Sequence, residues 1–374
     1  MNSNQVKNQS FFKRVFNRYT YLLWLALLTF VLTEFFASFS TITERIYSRG
    51  IYPLIAAVVS FVSQVFDFSL DDSFYFLLIA TGVLLLGLLL VRKIRLRNFL
   101  LIVLNALALV YVLFYWLWGF NYYRQDLNDR LRIETSAPDS IVFLNQMEKL
   151  VVQTNASYVK IDRLEADKID SLVEKSYQQL APFLQLDYPS GVRPPKSITL
   201  SRFFAKAGIS GYFGPFLNEV HINKNLLPVE YPLVLAHEKA HQFGITSEAE
   251  ANFYAWLVCA NSDEPALQYS ANLYVLRYFL YEAYRLKGYA EIVAKIDDPV
   301  KADFRKIREH WLQLRDEKID EYASKVNDAY LKTNKVEKGI DDYTGVVKFV
   351  MDFSTDSSAI SRLTKLLPTV QPKE

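Results

Sequence analysis

Apolar residues are concentrated in the first third of the chain, where they form three long stretches. Residues 73–91 and 98–120 include no charged side chain, and 19–42 is interrupted only by Glu34. About 20 apolar residues in an α-helix span the hydrocarbon core of a bilayer, which is about 30 Å thick. The pattern therefore predicts three transmembrane helices. A fourth apolar stretch, 51–66, is short for a span, and we expect it to lie at the membrane surface.

The charges that flank these stretches predict their orientation. Four basic residues and no acid precede residue 19, and residues 92–97 hold four more between the second and third stretches. Loops rich in Lys and Arg stay in the cytoplasm. We therefore expect a cytoplasmic N-terminus in the cell (inner) membrane, with everything after Arg124 outside the cytoplasm. A crossing by 51–66 would force the second basic loop outside, which is why an interfacial or re-entrant helix is favoured.

The rest of the chain, 125–374, alternates polar and apolar residues in a mostly helical pattern. Residues 162–181 predict an amphipathic helix, and 233–322 predict several more. The β-branched and aromatic residues of 198–204 predict a strand, and the glycine-rich segment 208–223 predicts a strand or hairpin. We expect a membrane domain over 1–124 and a second domain over 125–374.

Composition narrows the function classes. The 374 residues are 51% apolar and 15% aromatic, which is too apolar for a disordered chain. The net charge of +2 provides no case for a nucleic-acid partner, so the lipid bilayer is the partner that the sequence predicts. The single Cys259 excludes an intrachain disulfide and a thiolate metal cluster. Only four histidines are present, so their positions are informative.

Two of these histidines form the pattern His-Glu-x-x-His, at His237, Glu238 and His241. Residues four apart share a face of a helix, so both imidazoles can bind one metal ion. Two imidazoles suit Zn²⁺, and Glu238 then stands where a general base would activate a zinc-bound water. A helix start at Pro232 and a stop at Gly244 fit this arrangement. The alternative is a surface helix whose two histidines are merely solvated.

The third zinc ligand is expected from the segment that follows. Ser247 and Glu250 match a capping box, which predicts a second helix and turns the Glu250 carboxylate back to the start of that helix. Glu248 is then free to face the histidines, and we favour it as third ligand, with Glu250 as the alternative. Asn252 lies one turn beyond Glu248 and could orient a ligand through a hydrogen bond. Because Ser247 occupies the position of the third metzincin histidine, that class is excluded.

The pattern His-Glu-x-x-His followed by Glu-x-x-Ala-Asn resembles the glutamate-liganded zincins. It is similar to the membrane-embedded CAAX-processing and heat-shock peptidases and to antirepressor-cleaving peptidases. Over most of its length the chain more closely resembles an uncharacterised bacterial membrane-protein family, labelled a domain of unknown function. The shared segments are the three spans and residues 118–124, 211–216, 237–241 and 248–253.

This resemblance implies a zinc-peptidase-like site and no established activity. The expected fold is mainly α, with three N-terminal transmembrane helices before a zincin-like α+β domain that has a small sheet and a helical C-terminal part. The expected function is a membrane-anchored zinc metallopeptidase acting on peptides or proteins. The alternative is a non-catalytic membrane scaffold or transport-associated protein with a structural metal site.

Overall fold

The computed structural model describes residues 20–137, 139–187, 193–336 and 339–367. Within these ranges the protein is mainly helical, with one small three-stranded sheet. Its buried apolar side chains form two clusters. An aromatic cluster includes residues from Tyr47 to Tyr123, and a larger one includes residues from Leu127 to Leu363.

Four helical segments are long and apolar enough to cross a membrane, where the sequence predicted three. Helix α1 is Tyr21–Ser38, α4 is Leu70–Leu90 and α5 is Leu96–Leu117. The additional candidate is Ser40–Ser63, which includes most of the predicted interfacial stretch 51–66. It consists of α2 (Ser40–Ile42), a π-helix (Thr43–Ile51) and α3 (Tyr52–Ser63).

Both ends of α3 contact the polar part of the chain, residues 125–374. At its start, the Tyr52 hydroxyl donates to the carbonyl of Gln242 at 2.7 Å. At its end, the carbonyl of Ser63 accepts from the Lys196 ammonium at 2.9 Å. Between these two contacts α3 extends about 18 Å. Helix α3 therefore lies along the polar part of the protein.

The polar part begins after a 3₁₀ turn, Gly119–Tyr123, that follows α5. The predicted helix over 162–181 is present at Ala166–Leu184, and the predicted helical region 233–322 is confirmed. The remaining helices are α6 (Leu127–Leu131), α7 (Ser140–Ala156), α8 (Ala166–Leu184), α9 (Ser201–Lys206), α10 (Tyr231–Gln242), α11 (Glu248–Ala260), α12 (Pro265–Ala283), α13 (Tyr289–Ala294), α14 (Asp298–Leu314), α15 (Glu317–Thr333), a 3₁₀ segment (Gly339–Gly345), α16 (Val346–Thr355) and α17 (Ser357–Thr364).

The sheet has the strand order β1-β3-β2, with β1 at Lys196–Ser197, β2 at Gly211–Gly214 and β3 at Glu219–Ile222. Strands β1 and β3 are parallel, and β2 and β3 form an antiparallel hairpin, which confirms the prediction for 208–223. The strand predicted over 198–204 is wrong, since most of that segment is helix α9. The Thr199 N–H donates to the Asp72 carboxylate instead of to a neighbouring strand, so the pairing with β3 ends there.

A buried polar network joins the sheet to the first turn of α4. The Ser69 hydroxyl caps this helix and lies 2.7 Å from the His221 imidazole of β3. Glu219 accepts from Lys196 and lies 3.3 Å from His221. Burial alone would raise the pKa of the Glu219 carboxyl, but His221 and Lys196 lower it to about 2. His221 is thus a fully buried residue that attaches the sheet to the apolar helix α4.

Candidate metal centre

Helix α10 carries the His-Glu-x-x-His pattern, and its local sequence explains its bounds. Pro232 lies in the first turn, where the missing N–H has no helical partner to lose. Gly244 follows the helix with φ of +81°, a conformation that favours glycine. A β-carbon there would also lie 2.9 Å from the Tyr52 ring, so the site needs glycine for space as well.

Helix α11 begins at the predicted cap. The Ser247 hydroxyl accepts from the N–H of Glu250, so this part of the capping-box prediction is confirmed. The five residues between α10 and α11 reverse the chain, and the first residue of α11 faces the histidines of α10.

The side chains of His237, His241 and Glu248 converge on one point. The two Nε2 atoms are 3.1 Å apart, and Glu248 Oε2 lies 3.1 Å from that of His237 and 3.5 Å from that of His241. Tetrahedral ligands at zinc distances of about 2.0–2.1 Å are separated by about 3.3 Å. The spacing of the three ligand atoms therefore fits one Zn²⁺ ion.

The tautomer of His241 favours the same conclusion. Its Nδ1 lies 2.7 Å from the carbonyl of Ile245, which can only accept, so Nδ1 carries the proton. Nε2 is therefore the ring nitrogen that can bind a metal ion or, in the metal-free protein, hold a proton between His241 and Glu248. Three lone pairs that meet in a buried place repel one another unless a cation or protons lie between them.

Charges among these groups shift their pKa values strongly. Burial lowers the pKa of His241, but the Glu248 and Glu238 carboxylates outweigh it and raise the pKa to about 9. Burial opposes ionisation of Glu248, yet the two histidines hold its pKa well below the usual range. Burial raises the pKa of Glu238. The site thus favours a carboxylate at Glu248 and positive charge beside it.

Glu238 lies beside the three converging side chains and against the sheet. Ligand atoms of His237, Glu238 and His241 lie within 4.8 Å of one another. A β-carbon on Gly211 of β2 would come within 2.8 Å of Glu238 Oε1 and 2.9 Å of its Cγ. Strand β2 therefore holds the Glu238 side chain in place, and only glycine allows this approach.

Glu250 points to a different part of the protein. Its Oε2 forms a 2.6 Å ion pair with Arg130, and its Oε1 accepts from the N–H of Leu127. The expectation that its carboxylate turns back to its own helix is wrong, because this buried arginine takes it instead. The structure brings Glu248, not Glu250, to the histidines.

Asn252 lies one turn beyond Glu248, as predicted, and is fully buried. Its amide donates at 3.5 Å to the carbonyl of Tyr343 in the 3₁₀ segment. The neighbouring Asp342 accepts from the Ser247 hydroxyl and from the N–H of Ala249, so it holds this segment against the start of α11. Burial and the charges of Glu248 and Glu238 raise the pKa of the Tyr343 hydroxyl, which places Tyr343 beside the centre.

Sequence reasoning missed Asp342 and Tyr343. They follow Ser247 by about 95 residues, and no local motif links the two segments. An acidic residue that could cap α11 from a distant segment was the only available signal, and many acidic residues share that property.

Lys239, between Glu238 and the second histidine, faces away from the centre. It is completely buried, and its ammonium pairs with Asp170 at 2.8 Å and Glu174 at 2.5 Å, both on α8. It also donates to the carbonyl of Arg193. A charged residue is tolerated at this position because α8 supplies its counter-charges.

Side chains at the ends of the apolar helices satisfy the carbonyls at and just after the end of α10. A helix leaves its last carbonyls without helical partners. Trp118 Nε1 donates to the carbonyl of His241 at 3.0 Å, the Tyr52 hydroxyl donates to that of Gln242, and Arg124 donates to that of Gly244 at 2.9 Å. The end of the helix that carries the two histidines is therefore fixed to residues at the ends of the apolar helices.

Comparison with known proteins assigns a family but no activity. Residues 47–351 match the model of a protein family of unknown function, DUF3810, and the chain belongs to this family. No curated protein and no solved structure matches the chain.

Proposed function

We propose that this member of the DUF3810 family is a membrane-anchored zinc metallopeptidase. The observation that carries the proposal is the convergence of His237, His241 and Glu248, whose ligand atoms are 3.1–3.5 Å apart. Together with the adjacent carboxylate of Glu238, this is the set of groups that a zinc hydrolase requires. Bound there, Zn²⁺ would act as a Lewis acid that polarises a peptide carbonyl and acidifies a water molecule.

The chain's own groups have separate roles in this proposal. Glu238 Oε1 or Oε2 accepts a proton from the attacking water and returns it to the leaving amine. Gly211 keeps the Glu238 carboxylate in its position by contact. Strand β2 is the outer strand of the hairpin, next to Glu238, so an extended peptide can add to its free edge through backbone hydrogen bonds.

We infer that three of the four apolar helices cross the membrane and that Ser40–Ser63 does not. Both halves of Ser40–Ser63 contact residues that follow α5, since Glu44 pairs with Arg124 and the carbonyl of Ser63 accepts from Lys196. These contacts support the inference, because a crossing helix would carry one end to the opposite surface. The basic flanks then place the N-terminus in the cytoplasm and residues 125–374 outside it. A reporter that is active only in the cytoplasm, fused after residue 374, should be silent, and a cytoplasmic signal there would refute this topology.

The peptidase proposal is tested with purified full-length protein in detergent. Wild type, Glu238→Gln and the control Glu309→Gln, which changes an exposed residue of α14, are compared for zinc content and for hydrolysis of a mixed peptide library. All three should contain one zinc per chain. Glu238→Gln should lose at least about 100-fold of the activity, the usual contribution of a general base, while the control keeps it. Zinc without hydrolysis in wild type would instead support the structural metal site.

A further inference from the structure

We propose that the substrate is a membrane-anchored protein, cleaved in the short segment that leaves the bilayer beside the metal centre. This rests on the peptidase function proposed above and adds a substrate class to it. It follows from where the centre lies relative to the apolar helices and from the side chains between them.

The centre lies at the end of a predicted span. Trp118 is the residue after α5, and its indole donates to the carbonyl of the ligand His241. The centroids of these two rings are 6.5 Å apart. The sheet on the other side of Glu238 is attached in the same way to α4, through Ser69 and His221. Helix α10 and the sheet, which lie on either side of Glu238, are therefore both attached to the ends of apolar helices.

Aromatic side chains extend from the last turn of α5 to His241. The Phe114 ring of α5 is 6.5 Å from that of Tyr122 and 6.2 Å from that of Tyr330 of α15. The hydroxyls of Tyr122 and Tyr330 are 3.0 Å apart. The Tyr122 ring is 5.3 Å from that of Trp118, which in turn is 6.5 Å from that of His241. Tyr330 is 40% exposed, so the aromatic row is open to its surroundings.

Such a row suits a peptide that emerges from lipid. Tyr and Trp are favoured where a bilayer meets water, since they offer an apolar ring and a polar atom together. The edge strand β2 stands at the same place, because its Phe213 ring packs 5.4 Å from that of Trp118. A peptide leaving the bilayer along this row thus reaches the free edge of β2 and Glu238 together.

The distances predict where the substrate is cut. The ring of Trp118, the residue after α5, is 6.5 Å from that of His241. An extended chain advances about 3.3 Å per residue, so about two residues cover this distance. Since several residues on each side of the cut must also bind, we expect cleavage within about ten residues of the end of the substrate's span. A short tether further raises the local concentration of the segment to the millimolar range.

The test uses full-length protein in vesicles of bacterial phospholipid. The probe is a single-span reporter with about thirty randomised residues beyond its span, in the orientation that places them on the side of the centre. The same randomised segment without a span serves as the soluble probe at equal micromolar concentration. Glu238→Gln is run in parallel, and cuts specific to wild type are mapped by mass spectrometry.

The anchored reporter should be cut at least ~10-fold faster than the soluble probe, with cuts concentrated in the first ten or so randomised residues. Equal rates for the two probes, or cuts spread evenly along the segment, would overturn the substrate class and leave the peptidase function standing. Cleavage of neither probe, with wild type and Glu238→Gln alike, would overturn the peptidase function and this inference with it.

Discussion

The two glutamates at the start of α11 provide a sharp test, because the structure assigns them different tasks two residues apart. Glu248 Oε2 lies 3.1 Å from His237 Nε2, whereas Glu250 forms a 2.6 Å buried pair with Arg130. Replacing each by Gln keeps its size and removes its charge. Glu248→Gln should therefore weaken metal binding, and Glu250→Gln should weaken the fold.

The expected magnitudes follow from these contacts. Breaking one partner of a buried ion pair costs about 3–5 kcal/mol. The side-chain amide of Glu250→Gln can keep one hydrogen bond, so we expect a loss of stability at the lower end of this range, about 3 kcal/mol. For a domain the size of residues 125–374, this loss lowers the unfolding midpoint by about 6–12 °C. Loss of a group that only orients a metal ligand costs about 10–100-fold in metal affinity, so loss of the ligand Glu248 should cost more than about 100-fold.

Two measurements on full-length protein separate the effects. Zinc affinity is measured by competition with a chelator, and the unfolding midpoint is measured after the metal has been stripped, so that metal binding does not contribute to stability. Glu248→Gln should lose zinc, whereas Glu250→Gln should keep zinc and lower the stripped midpoint. If Glu250→Gln lost zinc at an unchanged midpoint while Glu248→Gln kept it, the ligand assignment would be refuted.

Two further substitutions test neighbours of Glu238. Gly211→Ala places a β-carbon 2.8 Å from Glu238 Oε1, where ordinary contacts begin at 3.4 Å. We expect unchanged zinc content and about 100-fold lower activity, because displacing a catalytic group by about 1 Å has that cost. The matched Gly82→Ala, with nothing within 4 Å, should be active, and equal activity in both would refute the positioning role. Lys239→Met removes the buried cation that pairs with Asp170, while Glu174 keeps its pair with Arg193. It should cost about 3 kcal/mol, seen as a lower unfolding midpoint with zinc still bound. An unchanged midpoint would show that this pair adds no stability.

The parts of the site that the sequence predicted depend on local geometry. Helical spacing alone brings His237 and His241 to one face, and a cap at Ser247 starts α11 so that Glu248 faces them. The hairpin was likewise predictable from its glycines and β-branched residues. Each of these features is encoded within about fifteen consecutive residues.

The missed features depend on contacts between distant segments. Glu250 turns to Arg130, 120 residues earlier, and nothing near Glu250 indicates that partner. Strand β1 ends where Asp72 takes the N–H of Thr199, a contact across 127 residues. Ser40–Ser63 reaches the length of a span only because its polar first half continues the helix as a π-helix, which hydropathy of 51–66 alone does not predict.

The central claim is that His237, His241 and Glu248 hold one zinc ion, and metal content tests it most directly. Full-length protein, purified without chelators or an added metal-binding tag, is analysed for transition metals as wild type, His237→Ala and His310→Ala. His310 lies on α14 and bonds to the carbonyl of Asn225, so its loss controls for removal of an imidazole elsewhere. One zinc per chain in wild type and His310→Ala, and almost none in His237→Ala, is the predicted result. Wild type without stoichiometric metal, or His237→Ala with its zinc retained, would contradict it.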